Sequence, residues 1–504
     1  MRKIPGIVIG VLLCLTYVLQ GCGEKERNVS LNLSDIRDLD GKDVAVVVGT
    51  VHDKHLSSHY PEIAIKHLES NLDLGLAVKT GQVTASLLDY YLARKIVENN
   101  PELDILQKDV FTEEMGMIFN RDDHVLPEQF NIFLKEIQRN GVYDEILDRW
   151  LNSTKDTRLP DLPENGRNGV LRIGVTGIIE PFNFIQNREL VGIDIELAKR
   201  FAASIGKKPE ISTMTFTGLL SATSSGKVDM ACSGITINEE RKKMLAFSEP
   251  YFKSGAALIA LKKNMATHTG EETEVEQQGF LQSVKTSFVS NLIEEDRYQI
   301  ILDGLKITCM ISILAGLLGT LLGGVFCAAR MSENALLRTG TNTVTFLLKG
   351  TPVVVLLMIA YYVIFASVEI EPITVAVIAF GANFGACVSE MFHSAVRSVG
   401  KGQVEAGIAM GFSPFRTFLY ITFPQAIRYV LPLYKDGFNS MVRMTSVVGY
   451  IAVQDLTKAG DIIRSRTFDA FFPLILVAIL YFVLTYMLTL FLELISRKFD
   501  YKRI

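Results

Sequence analysis

The chain has 504 residues, 48% of them hydrophobic and 21% charged, with a formal net charge of −4. That length exceeds one domain and points to about three, at roughly 150 residues each. The near-balanced charge supplies no basic field, and no Arg/Lys block interleaved with aromatics occurs, which excludes nucleic acid as a partner.

The N-terminus opens with Arg2 and Lys3 ahead of an apolar run over 7–19, too short for a comfortable membrane span and flanked like a signal segment. It ends Leu19-Gln20-Gly21-Cys22. Two readings follow: a cleaved leader over 1–22 with Cys22 as the lipidated residue, or an uncleaved anchor helix. Both put the next residues outside the cytoplasm. The six cysteines form no CxxC pair and no His/Cys cluster, so no metal site, zinc finger or redox motif is expected.

Alternating strands and helices are expected over 40–151, with strands at 43–48, 74–78 and 86–89 and a helical pattern from 128 to 151. Residues 152–169 hold Pro160, Pro163, Gly166 and Gly169 among polar residues and read as a linker. The style then repeats over 170–262, with strands at 170–175, 227–231 and 255–261 and an amphipathic helix at 194–205. Residues 263–298 form a polar tether and a helix fit for a membrane surface. From 299 to 504 the apolar runs give about five transmembrane helices: 300–328, 344–366, 373–396, 429–453 and 471–495. Basic residues cluster after the first and third spans and in the tail. The positive-inside rule therefore puts the C-terminus in the cytoplasm and residues up to about 298 outside it. The expected fold class is multi-domain, an α/β two-lobed module followed by an all-α membrane domain embedded in a lipid bilayer.

Between the third and fourth spans stand Glu405-Ala406-Gly407, then Gly411, then Ile421, Phe423 and Pro424. Small residues and a glycine let a short helix–turn–helix fit closely into a partner's groove, with Glu405 as a charged anchor. The string resembles the cytoplasmic coupling loop of ABC importer permeases, with Gly407 and Phe423 as mild departures. Lys349-Gly350-Thr351-Pro352 with Tyr361-Tyr362, and residues 423–428, resemble the polar amino-acid uptake branch (histidine, glutamate, glutamine, arginine, opines). The resemblance implies a separate ATP-hydrolysing partner subunit, a permease homodimer and a bacterial inner-membrane location. The chain carries no GxSxG, HExxH or Walker-type string. No enzymatic activity or cofactor is therefore expected on it, and ATP and Mg²⁺ belong to the partner.

The late α/β segment contains residues 181–184, 191–194, 226–229, 234–241 and 247–251, which together resemble the first lobe of type II periplasmic amino-acid-binding proteins. An α-carboxylate wants a bidentate guanidinium, which Arg241 offers, beside the Thr236 hydroxyl; the Gly234 carbonyl suits an ammonium, and Phe216 an apolar shelf. The early segment resembles the second lobe, with Gly49-Thr50 as a carboxylate-binding turn and Asp89 as the ammonium partner. The halves of one site thus lie in exchanged order, as in a circularly permuted module at 40–151 and 170–262. The lobes pair either within one chain or across two chains of a dimer. Thr176 and Ile179 favour a polar neutral or acidic amino acid such as glutamine. Rival readings of the whole chain are a ligand-gated channel of the glutamate-receptor type, whose spans would fall between the lobes, and a solute-sensing receptor, which would need a cytoplasmic output region.

Overall fold

The computed structural model describes residues 31–68, 70–152, 157–162, 166–266, 280–366, 368–469 and 471–499. The leader with Cys22, parts of the linker and most of the tether lie outside the described residues. The early segment runs β1 Asp43–Val47, α1 Val51–His59, β2 Ala64–Leu68, α2 Asn71–Lys79, β3 Ala85–Asp89, α3 Tyr90–Asn99, β4 Leu103–Gln107, β5 Thr112–Met115 and β6 Ile118–Asn120. It ends in α4 Val125–Arg139 and α5 Val142–Leu151, separated by Gly141 at φ +83, so the helical pattern expected from 128 to 151 is two helices. The expected strand 74–78 is instead the middle of α2. Leu74, Ala77 and Val78 are buried at helical spacing against the sheet, which a short apolar run does not distinguish from a strand. The true second strand, β2, is a largely exposed polar edge.

The late segment runs β7 Val170–Val175, β8 Ile178–Ile179, β9 Asn183–Gln186, β10 Glu189–Val191, α6 Ile193–Ser204, β11 Lys208–Thr213, α7 Phe216–Ser224, β12 Met230–Ala231, β13 Leu245–Phe247 and β14 Phe252–Leu261. Two main sheets result, and each borrows one strand from the other half of the chain. One is ordered β2-β1-β3-β14-β4, with β5 also on β14; the other is β11-β7-β12-β6-β13. Strand β14 lies antiparallel to β3, β4 and β5, and β6 lies antiparallel to β12 and β13. The early segment's α4 and α5 pack on the late segment, where Phe130 and Phe133 meet Phe201 and the Trp150 indole donates to buried Glu196 at 2.7 Å. Both halves of the sequence therefore pair within one chain.

The two sheets meet at a narrow waist. Gly116 N donates to Ile235 O at 2.9 Å, Ile237 N to Glu114 O at 2.7 Å and Tyr251 N to Met115 O at 2.9 Å. A Cβ on Gly116 would come within 3.0 Å of Ile237, so only glycine keeps these backbones close without displacing that side chain.

The C-terminal part is helical: α8 Tyr298–Arg330, α9 Ala335–Gly350, α10 Pro372–Ser398, α11 Lys401–Ala409, α12 Phe423–Met444, α13 Leu456–Thr467 and α14 Phe471–Phe499. The surface helix expected up to 298 is α-helical to Phe288 and π-helical over Val289–Ile293, and the chain breaks at Glu295 and Asp296, with φ of 55° and 51°, before α8. Among the described residues α8, α10 and Phe471–Leu494 are long and apolar enough to cross a membrane. The span expected at 344–366 is α9 plus Val353–Ile364, bent by 109° where Pro352 interrupts the backbone bonding. The span expected at 429–453 is not one apolar helix: α12 carries Pro432, Lys435, Asp436 and Arg443 and gives way to a 3-10 segment, Thr445–Ile451. Helices α8 and α10 approach through small residues four apart. A Cβ on Gly319 would lie 2.9 Å from Gly381 O, and one on Gly385 would lie 3.1 Å from Gly319 O. Such close backbone approach is what holds helices together where lipid removes the hydrophobic drive.

Candidate functional site

Four short turns bring the cleft residues together at the waist. Gly49, at φ +70, ends β1 and lets Thr50 cap α1, its hydroxyl donating to Val47 O at 2.7 Å. Asp89 ends β3 and caps α3, accepting from Tyr91 N at 2.9 Å and Leu92 N at 3.2 Å through one oxygen. Its other oxygen, Oδ2, is buried without a well-aligned hydrogen bond, and the Ser254 hydroxyl near the carboxyl favours the ionised form. Asn238 caps the turn that carries Arg241, accepting from Arg241 N at 2.7 Å. Gly234, at φ +55, donates its N–H to buried Asp194 at 3.1 Å.

Arg241 is 8% exposed, and its guanidinium donates to Thr236 O at 3.0 Å and reaches across to Gly49 O of the early segment at 3.5 Å. It lies over the Phe216 ring, 5.2 Å from the centroid, so the ring serves as a shelf for the arginine itself. The Thr236 hydroxyl donates to Glu113 Oε2 at 2.6 Å. Arg241, Thr236, Phe216 and the Gly49-Thr50 turn are thus gathered from both halves. Asp89 joins them electrostatically: it, Glu113, Arg241 and His52 all act on the ionisation of His52 and its neighbours.

His52 and Glu113 carry no motif in the sequence. His52 is two residues past Thr50 on α1, Glu113 lies on β5, and they meet only through the fold, at 3.3 Å. The sole sequence signal is Glu113's place just ahead of the waist residues 114–117. Burial pushes the Asp89 carboxyl up to about 6, reinforced by the nearby charge of Glu113. Burial also opposes ionisation of Glu113, but the charge and hydrogen bond of His52, with the Thr236 hydroxyl, hold that carboxyl below its ordinary range. For His52, burial works against the proton, while Glu113 and then Asp89 outweigh it and raise the imidazole.

The α/β part rests on the helical part through the loops between apolar helices. Lys227 donates to Phe365 O and, at 2.8 Å, to Val368 O. The Tyr362 hydroxyl lies 3.0 Å from Gly218 O, and Gln454 Nε2 donates to Thr213 Oγ1 at 2.6 Å. Helix α13 touches both halves. Arg464 pairs with Asp73 of α2 at 2.6 Å, Arg466 pairs with Glu180, and the buried Lys458 ammonium donates to Thr176 O at 3.2 Å. Asp455 caps α13, accepts from the Tyr481 hydroxyl of α14 at 3.0 Å, and is pushed up to about 6 by burial.

At the far end, Glu405, Ala406 and Gly407 lie on α11, and Gly411 turns the chain at φ +86 towards a short helix, Pro414–Thr417, and Pro424 at the start of α12. Gly407 is buried where a Cβ would meet Ile421 at 2.7 Å and Thr417 at 2.8 Å. Glu405 and Ala406 are exposed, beside exposed Ile408, Met410, Phe415 and Tyr420. Phe415 is 73% and Met410 77% exposed, an apolar surface of the kind that marks a protein partner.

Residues 171–411 match the bacterial extracellular solute-binding proteins, family 3. That range begins on β7 and runs past β14 into the apolar helices, so its α/β character ends at Leu261. The C-terminal part is 31% identical over 217 residues to the L-cystine transport system permease protein TcyB of Bacillus subtilis (strain 168), covering 43% of this chain and 93% of that one. It is 28% identical over 200 residues to a putative glutamine transport system permease protein GlnP of Rickettsia typhi, covering 39% and 92%. The histidine/lysine/arginine/ornithine transport system permease protein HisQ of Salmonella typhimurium is 27% identical over 213 residues, covering 40% and 93%. All three relatives are described as transport permeases, and none as an enzyme.

Proposed function

The chain belongs to the family of amino-acid ABC transporter permeases, and from that premise we propose that one polypeptide both captures an amino acid outside the cytoplasm and conducts it across the inner membrane. The solute-binding and permease parts are fused. The observation that carries the reading is the cleft at the waist. Arg241 from one half faces the Gly49-Thr50 turn from the other, and Asp89 leaves a buried carboxylate oxygen without a well-aligned hydrogen bond beside them. A zwitterion answers both demands, its carboxylate to the guanidinium and its ammonium to the carboxylate. A polar neutral or acidic amino acid, glutamine-like, fits the expectation from Thr176 and Ile179.

Energy comes from a separate ABC ATPase that docks on residues 405–424. The exposed Glu405 and the apolar group around Phe415 support that docking. Two copies of the permease pair to face two ATPases. The α/β part lies outside and the C-terminus inside, which fits the contacts of the α/β part with the loops at 365–368 and 445–467. Cys22 anchors the leader end by lipidation.

The test uses the full chain in nanodiscs, screened for thermal shift against the standard amino acids. A shift with one amino acid, lost in Arg241→Ala, supports the reading. No shift with any of them overturns it. Copurification of an ABC ATPase with wild type but not with a Phe415→Ser variant tests the docking turn.

A further inference from the structure

Resting on the reading of the waist as a solute cleft, we propose that the α/β part opens and closes without leaving the helices. The lobe built on the β7 sheet stays seated on them. The lobe built on the β1 sheet swings alone, latched when shut by Lys95 on Glu180 and Asp73 on Arg464. The two lobes meet the helical part in unlike ways. One buried apolar cluster runs from Leu219, Ala222 and Val228 of the β7 lobe to Leu357, Val448 and Ile451 of the helical part. Backbones touch there as well. Thr215 N donates to Gly449 O at 3.1 Å, and a Cβ on Gly218 would stand 2.5 Å from Tyr450 O. Lys458, 5% exposed, lies in the same joint and donates to Thr176 O at 3.2 Å.

The β1 lobe meets the helices at its rim. Asp73 of α2 pairs with Arg464 and is 38% exposed, and the partly buried Phe468 ring packs against the apolar cluster that holds Leu74. Water screens such a pair, so parting it costs little, whereas parting the β7 joint would expose a continuous apolar core and costs in proportion to its area. Movement therefore falls on the β1 lobe. The chain passes between the lobes at the waist through residues 116–117, between β5 and β6, and 248–251, between β13 and β14. Short stretches at the ends of elements are what absorb a hinge rotation.

Glu180 marks the boundary between what stays and what moves. It lies in the β7 lobe between β8 and β9, 12% exposed at the side chain, and its carboxylate serves two cations: Arg466 of α13 and, at 3.1 Å, Lys95 of α3 from the β1 lobe. Arg466 is held on the fixed side by Glu295 at 3.2 Å and by the Phe184 ring, 4.9 Å from its centroid. Opening strands no cation. Lys95 keeps Glu98 of its own helix at 3.3 Å, and Arg464 keeps Asp461 at 3.3 Å. Helix α3 begins at Asp89, so a solute that draws Asp89 inward also brings Lys95 to Glu180.

The test is pulsed EPR on the full chain in nanodiscs, with labelled chain diluted into unlabelled chain. A nitroxide amino acid replaces the exposed Gln82 and Glu369 in one sample, and the exposed Glu210 and Glu369 in another. The first pair relates the β1 lobe to the helical part, the second the β7 lobe to the same point. The probe is a mixture of the standard amino acids. Without it a short and a long Gln82 distance are expected, and with it the short one alone, while the Glu210 distance stays single throughout. Lys95→Met should raise the ratio of long to short by about two- to fivefold, with the Glu210 distance and Tm unchanged. Both distances lengthening together would mean that the whole α/β part lifts away, and overturns the proposal. So does a Gln82 distance that is single with and without the mixture, or a ratio that Lys95→Met leaves as it was. A short and a long Gln82 distance that ignore the amino acids keep the hinged motion and overturn the reading of the cleft instead.

Discussion

The cleft at the waist and the turn at residues 405–424 are built on opposite rules. In the cleft, charged groups are buried: His52 pairs with Glu113 at 3.3 Å, and Arg241 is 8% exposed. At the turn, apolar side chains such as Met410 and Phe415 stand in the open. A buried polar vacancy is filled by something small, charged and hydrogen-bonding; an exposed apolar surface is covered by another protein. The solute site and the subunit site proposed above thus differ in kind, one polar and buried, the other apolar and exposed.

The largest effect expected from breaking this contrast is at Arg241. Arg241→Ala removes the only guanidinium that reaches across from one half to the other at the Gly49 turn among the described residues, and strands the carboxylate it should meet. Loss of one member of a buried charge pair costs about 3–5 kcal/mol, so titration calorimetry should find amino-acid affinity down by more than about 100-fold. Unchanged affinity would remove the cleft from consideration as the binding site. Asp89→Asn is the finer probe, since asparagine caps a helix as well as aspartate and α3 should persist. Affinity is expected to drop by about 10–100-fold with little change in Tm.

Acidity separates binding from stability at the same residue. The folded Asp89 carboxyl titrates at about 6, above its ordinary 3.8, because burial disfavours the ion. Its contribution to stability is therefore complete below its ordinary value and is lost as pH rises through about 6. Ligand binding runs the other way, because an ammonium needs the ionised carboxylate. Between pH 6 and 4.5 acidification should weaken amino-acid binding while this group raises Tm. Glu113, held below its ordinary 4.5, gives stability that is lost only as pH falls through its lowered value. A Tm and an affinity that fall together from pH 6 to 4.5 would contradict the assignment of Asp89.

The parts of the molecule that were legible in the sequence are those whose chemistry is local. The turn proposed for ATPase docking spans twenty residues, and Thr236 with Arg241 fall in one string, so residue types at fixed spacing single them out as candidates. The apolar runs of α8, α10 and α14 are equally plain, because a bilayer-spanning helix must be apolar along its whole length. What escaped is what depends on distance. His52 and Glu113 are far apart in the chain and carry no mutual pattern. The edge strand β2 is half polar and exposed, while α2 showed an apolar run that fits a strand as well as a helix. Helix α12 carries charged residues among its apolar ones, with Lys435 paired to Glu493 of α14 at 3.3 Å, and so differs from the apolar span expected at 429–453. Strand exchange between β6 and β14 is likewise invisible, since neither strand differs in composition from one that stays at home.

At the turn, Phe415→Ser tests the exposed apolar side of the comparison. Phe415 is 73% exposed, so its removal should leave Tm unchanged while weakening ATPase association about tenfold, as expected for an aromatic anchor at an interface. Co-sedimentation of nanodisc-held chain with the ATPase measures this directly. A matching loss of Tm would mean that Phe415 serves the permease fold instead.

The smallest effect is expected where the two regions are linked, at α13. Arg464 is 8% exposed at the side chain but Asp73 is 38% exposed, so water screens the pair and its contribution is about 0.5–1 kcal/mol. Asp73→Arg should therefore barely alter ligand affinity, because Asp73 lies on α2 away from the cleft turns. It should instead loosen the α/β part from the helices, which hydrogen exchange at α2 and α13 would detect as faster opening of both. Restoring slow exchange with the reversed pair, Asp73→Arg with Arg464→Asp, separates a charge contact from a general disturbance of α2. If the single variant already exchanges as slowly as wild type, the polar link of the α/β part to the helices is carried through the late half, by Lys458, Arg466, Lys227, Tyr362 and Gln454.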